Sequence, residues 1–150
     1  MGNVRSRNRP IEILHVEDSR IDAKLAQLAL SEFSVENRVH HVTDGGEAMA
    51  FLGRQGKYEN APRPDLILLD LNLPVKDGRE VLAEVRSDPK LKSMVVIILS
   101  SSDCEEDILA CYQLNCNAYL TKQMDIDDLM EAFKAVELLF LQVARLPTDV

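Results

Sequence analysis

The sequence lacks the features that mark several classes of protein. Its 150 residues hold three cysteines, Cys104, Cys111 and Cys116, an odd number with no C-x-x-C pair. That leaves no ligand spacing for a zinc site or a redox dithiol, and it reads as reduced cytoplasmic thiols packed as small hydrophobes. No apolar run approaches the roughly 20 residues that cross a bilayer, and the N-terminus has no signal h-region. Basic residues are outnumbered 17 to 25, a net charge of −8. Such a field repels nucleic acid and anionic membrane, so neither is an expected partner. Repeats, low-complexity tracts and an interdomain linker are all absent. The opening residues fit a short acylation pattern at Gly2 that often matches by chance. The polar stretch from Met1 to Arg9, with its three arginines, reads as part of a loose tail over residues 1–10.

What is present suits one domain: 46% hydrophobic and 28% charged residues. Short strand-like runs alternate with longer helical ones. Residues 11–16 (IEILHV), 38–42 (RVHHV), 65–70 (DLILLD), 94–99 (MVVIIL) and 118–120 (AYL) read as strands. The third and fourth are apolar throughout, as in a parallel sheet covered on both faces. Helices are predicted after Ser19, with Ile21, Leu25, Leu28 and Leu30 as the apolar stripe, and over 46–52, 79–87, 105–114 and 125–144. Residues 53–64 form a loop with two glycines and two prolines. Five strands, each followed by a helix, predict a doubly wound α/β sandwich with a five-stranded parallel sheet. The domain is expected over residues 11–146, with a second tail at 147–150.

In open parallel sheets, sites form beyond the carboxyl ends of the strands. Glu17 and Asp18 end the first predicted strand, Asp70 the third, Ser100 the fourth, and Thr121 and Lys122 the fifth. Three carboxylates at close range need a counter-charge. A hard divalent cation, Mg²⁺ in the first instance, meets that need with oxygen ligands. A carboxylate is a competent nucleophile toward phosphorus, and a lysine can pair with phosphoryl oxygens.

These residues resemble those of the receiver domain of two-component response regulators. The stretches that carry the resemblance are 13–19 (ILHVEDS), 68–74 (LLDLNLP) with Asp77-Gly78, 97–100 (IILS) and 118–122 (AYLTK). It implies a flavodoxin-like fold and a role for each position. Asp70 is the phosphoacceptor. Asp18, Asp70, the backbone carbonyl of Asn72 and, through water, Glu17 hold Mg²⁺. Ser100, Lys122 and Tyr119 stabilise the phosphoryl group and carry the switch, the Tyr119 ring turning inward. Asn72 and Ser102 tune dephosphorylation. A partner histidine kinase supplies the phosphoryl group, and the first helix (Arg20, Ile21, Lys24) faces it. The loop at 53–64, the run 77–82 (DGREVL) and the long last helix are most similar to single-domain regulators of phytochrome-type kinases. Output then comes through protein contacts, without turnover of an external substrate.

One position departs from the family. Gln123 stands where proline usually follows the lysine, which predicts a trans peptide bond, since cis costs about 3 kcal/mol before a non-proline, and a shifted loop that bears on the aim of Lys122. Two other readings compete. An aspartate-nucleophile phosphatase of the haloacid-dehalogenase type needs a second aspartate as general acid where Asn72 stands. A dimeric scaffold independent of phosphorylation would rest on Gln123. The last helix has a core stripe of Leu129, Phe133, Val136 and Phe140. A second apolar surface (Met130, Leu138, Leu139, Leu141, Val143) predicts a homodimer, with 111–120 beside it. Asp103 is expected to cap the helix that follows it, and Asp77-Gly78 reads as turn chemistry. His15 is expected to be a satisfied core histidine; the three histidines share no ligand spacing.

Overall fold

The structure, a computed structural model, describes residues 9–122 and 125–149. The strands are β1 Ile11–Val16, β2 Asn37–Val42, β3 Leu66–Leu69, β4 Val95–Ser100 and β5 Ala118–Thr121. The helices are α1 Arg20–Ser31, α2 Gly45–Leu52, α3 Gly78–Ser87, α4 Glu105–Gln113 and α5 Ile126–Val136. All strand pairs are parallel, in the order β2-β1-β3-β4-β5. The chain steps outward from β1 to β2, then returns across β1 to β3. The switch point therefore lies between β1 and β3, where this sheet type opens a crevice.

Both sheet faces are covered, which is why β1, β3 and β4 show no alternation of polar and apolar residues. Leu14, Val16, Ile67, Leu69, Val96 and Ile98 face α2 and α3. Ile13, Leu66, Leu68, Val95, Ile97 and Leu99 face α1 and α5. Each such side chain contributes roughly 1.5–3 kcal/mol by leaving water.

Side-chain caps fix where four helices begin: Ser19, Asp44, Asp77 and Asp125 each accept a first-turn N–H. The cap expected of Asp103 does not form. Cys104 is the N-cap of α4, with no side-chain hydrogen bond of its own, and its N–H is taken by Ser102 Oγ.

Two helical stripes differ from the sequence pattern. In α1 the buried face is Ala23, Ala26, Ala29 and Leu30, while Ile21, Leu25 and Leu28 point outward. Alanines let the helix sit close to the sheet, which leaves the larger side chains for the solvent side. The last helix also ends sooner than predicted. After Val136 the chain winds as a π-helix over Glu137–Val143. Its wider turn advances the phase, so the next buried apolar residue after Val136 is Leu141, five positions on, with the buried Glu137 carboxylate accepting the Val35 N–H at 2.8 Å, and Phe140 is half-buried. Leu141 is wholly buried within this chain and so is no part of an exposed dimer surface. Leu138, Leu139 and Val143 remain exposed and Met130 half-buried.

The segments expected as tails meet on one buried carboxylate. Arg9 donates to both oxygens of Asp65 at 2.8 Å, and Thr148 donates to its Oδ1. Glu12 N–H adds a 2.8 Å bond to Oδ2. Residues 9–10 and 147–149 are thus tied to the domain; the rest of the tail predicted over residues 1–10, Gly2 included, lies outside the described residues.

Gly78 settles the position of the loop after β3. A Cβ there would lie 2.1 Å from the Asp70 carbonyl oxygen and 2.7 Å from Leu71 Cα. The contact atoms are backbone and cannot swing aside. We expect Gly78→Ala to lower stability by about 2 kcal/mol in urea unfolding. Because the displaced atoms belong to Asp70 and Leu71, its amide spectrum should change at the carboxyl ends of β1 and β3. Unchanged stability would count against so close an approach.

Candidate metal and phosphoacceptor site

The register brings the acidic residues together. Val16 is paired with Leu69, so the residues that follow, Glu17 and Asp70, leave neighbouring strands side by side. Ligand atoms of Glu17, Asp18 and Asp70 all lie within 4.8 Å of one another. Glu17 and Asp70 are buried and Asp18 is exposed, which gives a cluster with one open side. Such an all-oxygen donor set suits a hard divalent cation.

Lys122 comes from the far side of the sheet. Ser100 is paired with Thr121, and Lys122 N–H donates to the Ser100 carbonyl at 2.7 Å. Its Nζ lies 2.5 Å from Glu17, 3.0 Å from Asp22 and 3.5 Å from Asp70. The bond between Lys122 and Gln123 is outside the described residues, but the amine itself is within reach of Asp70. One Asp70 oxygen, Oδ1, accepts the Leu71 N–H at 2.8 Å, which turns Oδ2 toward the lysine.

Charge and burial work against each other here. Burial pushes the Glu17 carboxyl up to about 7, against the pull of Lys122 and with help from the Asp70 charge. Burial lowers the Lys122 ammonium, but Glu17, Asp70 and Asp22 outweigh it, so its pKa is raised. The lysine therefore stays charged.

Ser100 is wholly buried, and its Oγ accepts the Ser102 N–H at 3.1 Å. Tyr119 is half-buried and donates to the Ser102 carbonyl at 2.7 Å. Asn72 lies exposed on the loop just beyond Asp70. His15 corrects a sequence expectation: it is buried, but its Nδ1 has no hydrogen-bond partner. Burial, with the nearby His41 and Lys122 charges, pulls it down to about 3, so the ring is neutral. His41, beside it, makes a 2.7 Å bond to the Glu17 carbonyl.

Asp22 is the site residue that strand-end reasoning missed. It lies in the first turn of α1, four residues after Asp18. Asp18 precedes the Ser19 cap and lies outside the helix, so no helical spacing relates the two, and nothing local in the sequence signals the pairing of Asp22 with Lys122.

A model of the response regulator receiver domain matches residues 13–134. The chain belongs to the response regulator receiver family. This receiver is 48% identical over 140 residues to response regulator Rcp1 of Synechocystis sp., covering 93% of this chain and 95% of that one. It is 31% identical over 147 residues to the probable methanogenesis regulatory protein FilR2 of Methanothrix harundinacea, covering 97% and 94%. Among solved structures, the Mn²⁺-bound form of Rcp1 superposes on the receiver with a TM-score of 0.86, covering 92% of this chain and 99% of that one. The phosphorylated cyanobacterial phytochrome response regulator RcpA, 50% identical, gives 0.88, covering 93% and 99%. The flavodoxin-like fold expected from the sequence is the one these structures share. No helix among the described residues is long and apolar enough to cross a membrane.

Proposed function

We propose that this receiver is the phosphorylation switch of a two-component relay, with Asp70 as its phosphoacceptor and a partner histidine kinase, of the phytochrome type, as its donor. The observation that carries the reading is the position of the Asp70 carboxylate. It lies beside Glu17 and Asp18 in an oxygen cluster and 3.5 Å from a lysine ammonium. The similarity to RcpA and Rcp1 supports the phytochrome assignment.

Asp18, Asp70, the Asn72 carbonyl and, through water, Glu17 would hold Mg²⁺, which when bound supplies positive charge to the phosphoryl oxygens. An Asp70 oxygen attacks phosphorus, the P–N bond to the kinase histidine breaks, and an acyl phosphate forms on Asp70. Lys122 stays protonated and can pair with the added oxygens, and the Ser100 hydroxyl can donate to one of them. Ser102 and Asn72 then govern access of water to the acyl phosphate. Incubation with acetyl phosphate and Mg²⁺, read by intact mass, tests the reading: a gain of one phosphoryl group is expected. No gain would favour the scaffold reading, and turnover of a generic phosphomonoester would favour a phosphatase.

The kinase would meet α1, where exposed Ile21 stands beside Arg20 and Lys24. Output would pass through a homodimer that uses half-buried Met130 and exposed Leu138, together with exposed Leu139 and Val143. A Leu138→Glu, Leu139→Glu double variant should shift the sedimentation coefficient of a concentrated sample from dimer to monomer. A strictly monomeric parent protein would sink the dimer.

A further inference from the structure

The strand polarity that gathers carboxylates at one end of the sheet gathers cations at the other. Arg9 and Arg63 stand just before β1 and β3, Lys90 lies on the connection into β4, and Arg54 follows α2. Two cavities open at this end. One, of about 470 Å³, has the buried Leu52, Leu91 and Met94 in its wall, together with Arg54, Arg63 and Lys90. The other, of about 590 Å³, is lined by Arg9, Glu12 and Thr148 and by the same Arg54 and Arg63. The shared arginines make the two cavities parts of one groove.

Its charges are unequal. Glu12 is engaged by His40 at 2.8 Å and by Arg38 at 3.4 Å. Asp88, the other acidic residue of the first cavity, turns one oxygen to the Lys90 N–H at 2.8 Å. Arg63 donates to the Lys90 carbonyl at 2.6 Å, which aims its guanidinium. Among the described residues, the exposed side chains of Arg54 and Lys90 have no hydrogen-bond or ion-pair partner.

Arg54 is held there against backbone preference. Its N–H donates to the Phe51 carbonyl at 3.1 Å, and Gln55 N–H donates to the Ala50 carbonyl at 2.9 Å. These are the paired bonds of a Schellman turn ending α2, and they put Arg54 at the position where glycine is usual. Its φ is 54°, a left-handed conformation in which a Cβ is unfavourable. A strained, unpaired cation that borders both cavities points to a role outside the fold.

We propose that this groove docks an acidic segment of a partner protein. Carboxylates of the segment meet Arg54, Arg63 and Lys90, and an apolar side chain covers Leu52, Leu91 and Met94. A nucleic acid fits less well, because its continuous phosphate charge would meet the rest of a chain with net charge −8. The inference stands apart from the phosphoacceptor reading: Arg63 and Asp70 flank opposite ends of β3.

The probe is a fluorescein-labelled decapeptide of glutamate with leucine at every third position, titrated at low ionic strength and read by anisotropy. Wild-type protein should bind it saturably, with a dissociation constant below about 1 mM. Arg54→Gly should weaken binding about fivefold while raising the urea midpoint, because glycine relieves the left-handed strain and removes only the cation. An Arg54→Glu, Lys90→Glu double variant should not bind. The same peptide with glutamine for glutamate should not bind wild type. No saturable binding by wild type overturns the proposal, as does undiminished binding by either variant or by the glutamine peptide. A lower urea midpoint for Arg54→Gly would give Arg54 a structural role and overturn the argument from strain. Tighter binding of a single-stranded oligonucleotide of equal charge, lost in the double variant, would assign the groove to nucleic acid and overturn it too.

Discussion

Asp70→Asn protein should gain no mass with acetyl phosphate and Mg²⁺ under conditions where the parent gains one phosphoryl group. Asparagine has nearly the shape of aspartate, so the packing at the end of β3 survives. Its side-chain oxygen can still accept the Leu71 N–H that holds Oδ1 in the parent. What is lost is the anionic nucleophile, and no neighbour can replace it. Glu17 is the nearest buried alternative, but it is engaged by Lys122 at 2.5 Å and by Ser19 N–H at 3.2 Å. The same variant should be more stable than the parent in the absence of divalent ions, by about 1 kcal/mol. The Asp70 charge is one of the causes that hold the Glu17 carboxyl high, and removing it relieves that repulsion. A phosphorylated Asp70→Asn protein would place the acceptor elsewhere. A less stable one would show that the cluster is not under mutual repulsion.

Glu17 should make the metal-free protein lose stability as pH rises toward neutrality. Its carboxyl is pushed from 4.5 up to about 7, first by burial. A group raised in the folded state binds its proton more tightly there than in the unfolded chain. Its contribution is fully present below pH 4.5 and is lost as pH rises through 7, a change of about 3 kcal/mol. His15 has the opposite sense. Its pKa is pulled from 6.5 down to about 3, so its contribution is present above pH 6.5 and is lost as pH falls. The two slopes oppose each other between roughly pH 4.5 and 6.5, and wild-type stability alone would hide both. Subtracting the curve of Glu17→Gln isolates the carboxylate. In urea unfolding with a chelator present, wild type should weaken relative to Glu17→Gln by about 3 kcal/mol between pH 4 and pH 8. Millimolar Mg²⁺ should flatten the difference by favouring the ionised cluster. Parallel curves with and without Mg²⁺ would mean that Glu17 titrates normally and is no part of a cation site.

Much of this molecule was legible in the order of residues. Unbroken apolar runs at 65–70 and 94–99 could be satisfied only by strands covered on both faces, and the alternation with helices then required parallel crossovers. Polar residues that end those strands had to emerge on one edge. That logic places Glu17, Asp18, Asp70, Ser100 and Lys122 at the carboxyl ends of the strands. Features that depend on which of two surfaces a helix turns inward were not legible. Alanines took the inner face of α1 because they let it approach the sheet, although Ile21, Leu25 and Leu28 are the more apolar. A single π-helical segment changed the phase after Val136 and moved Leu141 from the expected outer surface into the core. Long-range pairings such as Lys122 with Asp22, Arg79 with Asp107, and Arg9 with Asp65 carry no local signal, because each joins charges whose separation in the chain is set by the packing between them. Local strand pattern fixes which polar residues end each strand, and so the chemistry available there. Which of those charges meet depends on the register between strands and on how the helices pack on the sheet, and both exist only in the folded chain.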